Sequence, residues 1–305
     1  MTRDHEQHKR RRRAWDRGFS IKANLETGKV GFGKEFNGVT KGEEHPAIQG
    51  VHSSMEVLGI LSHVPWLLNM AEYPQDIVSW LVKAVMDNDP AASPSVPALH
   101  EDSRVVIVAG SETTATTLAC MFYYLSKHPE VQRKLQAQLD AALGSGPWSY
   151  EVVRNVAFID DIVNETLRLK PALASGGHRV TPPQGITVDG TFIPGDTNVF
   201  VPTYAIQRDP RYWQEADRFV PERFGERRAE MGTDRAPFLP FQLGAYQCPG
   251  KNLGFLSLRI TLSRVLREFD VSFAPGEDGE VFDREAKDTF TTTLPPVMIQ
   301  FTKRR

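Results

Sequence analysis

The sequence has little cysteine and no long uninterrupted apolar run. Its 305 residues include only Cys120 and Cys248, which excludes a disulfide framework, and we interpret Cys120, in an apolar helical stretch, as a core residue. No run of 18 apolar residues occurs, so we expect no transmembrane segment. The start, Met1 to Glu6, is too polar for a signal peptide. A net charge of −2 gives no electrostatic case for nucleic acid as a partner.

The remaining composition is that of an ordinary globular protein, with 40% hydrophobic and 24% charged residues. Helical periodicity dominates, as in residues 129–143, where an amphipathic pattern begins with a proline at a position typical of a first helical residue. Residues 186–201 predict a β-hairpin and a further strand, and the tail at 271–301 is strand-like. We therefore expect a mainly α fold with a small β portion, in a single domain over residues 1–305.

One loop contains the second cysteine in a spaced pattern. Phe241, Gly244, Cys248 and Gly250 follow the spacing F-x-x-G-x-x-x-C-x-G, and a long helical pattern begins at Lys251. Backbone N–H groups at a helix start stabilise a thiolate, and glycines allow a flat group to approach the backbone. The pattern favours Cys248 as the thiolate ligand of a haem iron. The alternative is a buried thiol without a ligand, the usual role of a lone cysteine.

A second informative stretch lies inside the apolar segment 101–127, which predicts a buried helix. Its middle reads Ala-Gly-Ser-Glu-Thr-Thr at 109–114. Gly110 and Thr113 are poor helix formers, and Glu112 would lose its water in a helix core. Their presence indicates a function rather than stability. The alternative is Ser/Thr hydrogen bonding to preceding carbonyls in an ordinary helix.

Two further motifs carry charges. Glu165 and Arg168, in E-x-x-R, share a helix face, and Arg223 follows in P-E-R-F. An isolated pair of this kind is usually a surface ion pair of little energetic value.

In identity, order and approximate spacing, these motifs resemble those of the cytochrome P-450 family, the haem-thiolate monooxygenases. The resemblance implies a cytochrome P-450-like fold, incomplete at its N-terminal side, and a haem b cofactor held by Cys248. Phe241 would cover the sulfur, and Gly244 and Gly250 would admit the haem. In the helix, Gly110 would allow close approach to the haem face.

The resemblance also assigns roles in oxygen chemistry and in support of the loop. Thr113 would hydrogen-bond the bound oxygen, and Glu112 would relay protons through water. Glu165, Arg168 and Arg223 would lock together behind the cysteine loop.

Other residues are implied to face the haem propionates. Arg12, four residues after His8 on a basic helix, matches one such position, and Arg179 matches another. Tyr246 departs from the family, which usually has Arg or His two residues before the cysteine. A tyrosine hydroxyl donates a hydrogen bond to a carboxylate but carries no charge, and Arg179 would partly offset this loss.

The function implied is insertion of one oxygen atom from O₂ into a small organic substrate, in fungal secondary metabolism, with electrons from NADPH–cytochrome P-450 reductase. The stretches KPALASGGHRVTPPQGITVDG and FQLGAYQCPGKN look fungal. The segment 171–179 would line the substrate pocket, and 291–294 would enter it from the other side. We expect the protein in the cytoplasm or on the surface of the endoplasmic reticulum.

Residues 1–100 match the family poorly, which predicts missing segments at the N-terminus and before the oxygen-binding helix. Candidate joins lie at Lys22 to Gly28 and at Asn69 to Tyr73. The alternatives in function are a truncated, non-catalytic haem-binding relative and a haem-thiolate isomerase or dehydratase that needs no O₂.

Overall fold

The structure is a computed structural model that describes residues 5–19 and 76–304. Both candidate joins lie outside the described residues. The chain is mainly helical, as the sequence predicts. The helices are α1 (His5–Gly18), α2 (Ile77–Met86), α3 (Val96–Lys127), α4 (Pro129–Leu143), α5 (Tyr150–Val153), α6 (Ala157–Leu169), α7 (Thr203–Ile206), α8 (Lys251–Glu268) and α9 (Glu280–Arg284).

The β portion consists of short antiparallel pairs. β1 (Arg179–Val180) pairs with β4 (Asn198–Val199), and β2 (Ile186–Val188) pairs with β3 (Thr191–Ile193). β5 (Phe269–Phe273) pairs with β8 (Ile299–Lys303), and β6 (Lys287–Thr289) pairs with β7 (Thr291–Thr293). The predicted hairpin is confirmed: Asp189 and Gly190 form its two-residue turn, with φ angles of 46° and 75°, as a type I′ turn requires.

The chain divides into two compact units. The first comprises residues 1–111 and 249–254. Among its described residues, α1, α2 and the first half of α3 meet in a small core of Ala14, Ile77, Leu81, Ala84, Ala91 and Val106. Asp102 on α3 accepts hydrogen bonds from Arg11, at 2.5 and 2.6 Å, and from the Ser93 hydroxyl at 2.5 Å. This ion pair joins α1 to α3 inside the unit.

The second unit comprises residues 112–248 and 255–305. Its core is formed by the last turns of α3, by α4 and α6, and by the buried face of α8, with Cys120, Leu135, Leu139, Ile162, Val163, Leu262 and Leu266 fully buried. Helix α4 begins at Pro129, as the sequence predicts, because the missing N–H of proline is not needed in the first turn. Cys120 is a core residue, as predicted, and burial raises the pKa of its thiol to about 12.

The prediction that α3 is a buried helix is only partly right. Cys120, Met121 and the residues 123–125 are buried, whereas Val105, Val108 and Glu112 are exposed among the described residues. The carboxylate of Glu112 therefore keeps its water here. Among the described residues α3 is also the one helix long and apolar enough to cross a membrane, by length and composition alone. Core helices pass the same test, so our expectation of no transmembrane segment stays a prediction.

Candidate functional site

The cysteine loop presents Cys248 at the surface of the second unit. The Cys248 N–H donates to the Phe241 carbonyl at 2.8 Å, which closes the loop, and α8 begins three residues later at Lys251. Gly244 has a φ angle of +75° and starts a short 3₁₀ turn to Tyr246. Only glycine adopts this angle without strain, so this residue is needed for the course of the loop.

The loop that contains Cys248 also exposes apolar groups. Leu243 is 71% exposed and Tyr246 is 37% exposed, and a β-carbon built on Gly244 would meet no atom within 4 Å. Phe241 packs against Phe255, with ring centroids 5.6 Å apart. An apolar, open surface beside an accessible thiol suits a flat apolar ligand.

The guanidinium of Arg179 lies over the ring of Tyr246. The guanidinium carbon of Arg179 lies 5.0 Å from the centroid of that ring, which is a cation–π contact. Arg179 also donates to the His178 carbonyl at 2.8 Å, and within residues 5–19 and 76–304 it forms no ion pair with a carboxylate. Arg179, on a strand far from Tyr246 in the sequence, thus places a positive charge against the Tyr246 ring; that this charge offsets the loss at Tyr246 stays a prediction.

Gly177 leaves room for this guanidinium. A β-carbon at Gly177 would lie 2.7 Å from the Arg179 Nη1 atom and 2.9 Å from the Gln242 Oε1 atom. Any larger residue would displace Arg179 or Gln242, so Gly177 is part of the same arrangement.

The predicted charge triad forms a fully buried cluster. Glu165, Arg168 and Arg223 have no exposed surface. Glu165 accepts from Arg168 Nε at 2.7 Å and Nη2 at 2.9 Å, and its carboxylate lies 3.0 Å from Arg223 Nε. The Val220 N–H donates to the same carboxylate at 2.8 Å.

The two guanidiniums also hold the loop that follows α7. Arg168 donates to the carbonyls of Gln207 and Ala216 at 2.8 and 2.6 Å, and Arg223 donates to that of Gln214 at 2.7 Å. Desolvation lowers the pKa of Arg223, while the Glu165 carboxylate opposes the change. These contacts satisfy buried charges with carbonyl dipoles, so the cluster fixes the segment that leads to the cysteine loop.

The remaining predicted residues are distributed between the two units. Arg12, Gly110 and Gly250 belong to the first unit, where Arg12 Nε donates to Asp16 at 2.7 Å. Helix α3 runs without interruption through Gly110. In the second unit, the Thr113 carbonyl accepts the Thr117 hydroxyl at 2.8 Å, which is the back-bonding weighed as the alternative for this helix.

Sequence reasoning missed the tip of the β6–β7 hairpin. Phe290 is 70% exposed and has a φ angle of +87°, which is unusual for a bulky residue. Thr292 fixes the hairpin to the predicted pocket turn, because its N–H donates to the Ala172 carbonyl at 2.8 Å and its hydroxyl to the Pro171 carbonyl at 2.9 Å. Strained residues of this kind cluster at binding sites, but no sequence pattern marked Phe290.

Comparison with known proteins identifies the family to which this chain belongs. The family model for cytochrome P-450 matches residues 51–301, which covers most of the chain. The chain belongs to the cytochrome P-450 family. We expected residues 1–100 to match the family poorly, but the family model already matches from residue 51; it does not include α1 with Arg12.

Individual relatives agree with this assignment. The chain is 43% identical to cytochrome P-450 monooxygenase eupD of Phoma sp. over 233 residues, which is 76% of this chain and 80% of that protein. It is 34% identical to cytochrome P-450 monooxygenase orf5 of Eupenicillium brefeldianum over 368 positions, covering 99% of this chain and 74% of that protein. It is 35% identical to tryprostatin B 6-hydroxylase of Aspergillus fumigatus over 208 residues, 68% of this chain and 37% of that protein.

The alignment with the Eupenicillium protein has more positions, 368, than this chain has residues. It therefore includes positions at which the relative has a residue and this chain has none. This agrees with the predicted internal shortening.

The residues of the loop fit the haem that the family implies. The exposed thiol is a ligand for iron, and the apolar surface suits the macrocycle. The Arg179 guanidinium, which has no carboxylate partner among the described residues, suits a propionate. Within residues 5–19 and 76–304, no group of three His, Cys, Asp or Glu side chains is arranged to hold a metal ion. Among the described residues, the side chains around this loop therefore do not form a metal site of three or more such ligands.

Proposed function

We propose that this chain is a haem-thiolate monooxygenase that inserts one oxygen atom from O₂ into a small organic substrate in fungal secondary metabolism. The observation that supports this most directly is the exposed Cys248 thiol. It lies in a loop that the Cys248 N–H closes on the Phe241 carbonyl, in a chain of the cytochrome P-450 family. The names of the relatives, monooxygenase and hydroxylase, point to the same chemistry.

The loop residues would bind and orient the cofactor. Cys248 would supply the thiolate ligand, and Phe241, packed on Phe255, would shield it. Arg179, held by the Tyr246 ring, would pair with a propionate of haem b. When bound through a thiolate, haem supplies oxygen activation with electron density that favours O–O cleavage.

Helix α3 would serve proton transfer, and two segments would hold the substrate. The Thr113 hydroxyl holds a proton near the reacting oxygen, and the exposed Glu112 carboxylate exchanges protons with water. The turn at 171–179 and the hairpin tip at Phe290, joined through Thr292, line the substrate pocket.

We propose NADPH–cytochrome P-450 reductase as the electron donor, and a location in the cytoplasm or on the surface of the endoplasmic reticulum. A donor is required because splitting O₂ into an inserted oxygen and a water consumes two electrons that neither protein nor substrate supplies.

The carbon-monoxide difference spectrum of the purified, reduced protein tests the ligand assignment. We expect a thiolate-type Soret band in the unchanged protein and its loss in Cys248→Ser. Cys120→Ala is the matched control, because Cys120 is buried in the core and its removal should leave the band in place. A thiolate-type band in Cys248→Ser would refute the assignment.

The reaction itself is tested by substrate-dependent consumption of NADPH in the presence of reductase. Oxygen insertion predicts one NADPH consumed for each product formed. A thiolate-type band without consumption of NADPH would favour the haem-thiolate isomerase or dehydratase. Absence of haem would favour the truncated, non-catalytic relative.

A further inference from the structure

Gln207 connects the charge triad to the cysteine loop, and no sequence motif singled it out. It caps the C-terminus of α7 and has no exposed surface. Its backbone carbonyl accepts the Arg168 guanidinium at 2.8 Å. The main chain at Gln207 is therefore held directly by a member of the triad.

The side chain of Gln207 completes the end of helix α6. Its Nε2 atom donates to the carbonyls of Leu167 and Arg168, both at 3.1 Å. These carbonyls lie in the last turn of α6, where a helix leaves its carbonyls without intrahelical partners. The amide donors of Gln207 thus satisfy two buried acceptors, which fixes the orientation of the side chain.

The acceptor of the same amide holds the start of the cysteine loop. The Leu239 N–H donates to Gln207 Oε1 at 2.7 Å, and the Gln242 N–H donates back to the Leu239 carbonyl at 3.1 Å. Leu239 to Gln242 thus form a turn, stiffened by Pro240, whose φ angle is fixed by its ring. Phe241 lies in this turn, and its carbonyl accepts the Cys248 N–H at 2.8 Å.

We propose that Gln207 is a positioning residue for the axial cysteine: its amide holds the turn Leu239–Gln242, and through the Phe241 carbonyl it sets the placement of Cys248. The inference rests on the proposed function, in which Cys248 ligates haem. Gln207 touches neither cofactor nor substrate in this assignment. Its effect is to keep the thiolate from moving away from the iron.

A second buried glutamine offers a matched control. Gln132 on α4 is 4% exposed, and its Nε2 atom donates to the carbonyls of Leu125 and Val271 at 3.3 and 2.8 Å. Its Oε1 atom accepts the Val271 N–H at 2.7 Å. Like Gln207, Gln132 therefore donates to two backbone carbonyls and accepts from one backbone N–H. None of these partners lies in the cysteine loop.

The test compares Gln207→Met with Gln132→Met in the full chain loaded with haem. The measurement is the rate at which the thiolate-type band of the reduced, carbon-monoxide-bound protein converts to a neutral-thiol band. Losing the hydrogen bond to Leu239 should accelerate conversion about five-fold in Gln207→Met, from the usual net strength of such a bond. Gln132→Met should convert at the rate of the unchanged protein, while both variants lose similar thermal stability.

A conservative variant supplies a rescue and a safeguard against misfolding. Gln207→Glu, when its carboxyl is protonated, keeps an oxygen that accepts the Leu239 N–H and gains a hydroxyl that donates to one of the two α6 carbonyls. In this neutral form it should retain the slow conversion even where Gln207→Met gives no folded protein. Equal conversion rates in Gln207→Met and Gln132→Met, or fast conversion in neutral Gln207→Glu, would overturn the inference. Absence of the thiolate-type band from the unchanged protein would instead refute the proposed function.

Discussion

The buried triad makes a sharp prediction about stability, because one carboxylate faces two guanidiniums. Changing Glu165→Gln removes the only negative charge of the cluster but keeps the volume of the side chain. Arg168 and Arg223, which have no exposed surface, then lack a counter-ion. Removal of one partner from a buried charge cluster typically costs about 3–5 kcal/mol, a large part of the ~5–15 kcal/mol that holds a domain folded.

The same helix contains a control for this prediction. Asp160 forms a two-pronged ion pair with Arg259, with both contacts at 2.6 Å, but its side chain is partly exposed. Because solvent screens such pairs, Asp160→Asn should cost about 0–1 kcal/mol.

Urea unfolding followed by circular dichroism measures both variants. With a denaturant slope of about 3 kcal/mol per M, the midpoint of Glu165→Gln should fall by about 1 M or more, whereas that of Asp160→Asn should scarcely change. If the two variants lose the same stability, the carboxylate of Glu165 does not hold the cluster together and the reasoning is wrong.

Three further predictions concern the loop, helix α3 and a buried carboxyl. Tyr246→Leu should release haem to apomyoglobin about two- to five-fold faster than the unchanged protein, because the ring holds Arg179. Tyr246→Phe keeps the ring and should release haem at the unchanged rate. Faster release from Tyr246→Phe would show that the hydroxyl matters instead. Thr113→Ala should consume oxygen with little product, and full coupling of oxygen uptake to product would remove its assigned role. Asp161 has a pKa raised to about 6, chiefly by burial and next by the Asp160 charge, from an ordinary value of 3.8; ionisation therefore destabilises the folded state as pH rises from about 4 through 6. Asp161→Asn should raise the melting temperature above pH 6 but not below pH 4, and a difference independent of pH would contradict this.

Local patterns in the chain were sufficient for much of the fold. The α4 helix, the β2–β3 hairpin and the loop-to-helix transition at Lys251 all follow from residues close together in sequence: a proline at a helix start, Asp189-Gly190 at a turn, glycines around Cys248. The exposure of α3 could not be predicted in this way. Its apolar composition suits a helix core, but burial depends on which other segments cover it.

The site divides along the same line. The sequence alone contains each of its motifs: a cysteine in a glycine-containing loop, an E-x-x-R helix and the P-E-R-F segment. Each motif is a short local pattern. The pairing of Arg179 with Tyr246 and the bridge from Gln207 to Leu239 are contacts between segments far apart along the chain. Such contacts depend on where the backbone places each side chain, and a single sequence does not specify this. Tertiary structure alone therefore decided that Arg179 lies over the Tyr246 ring and that Gln207 joins the turn before Cys248 to the buried triad.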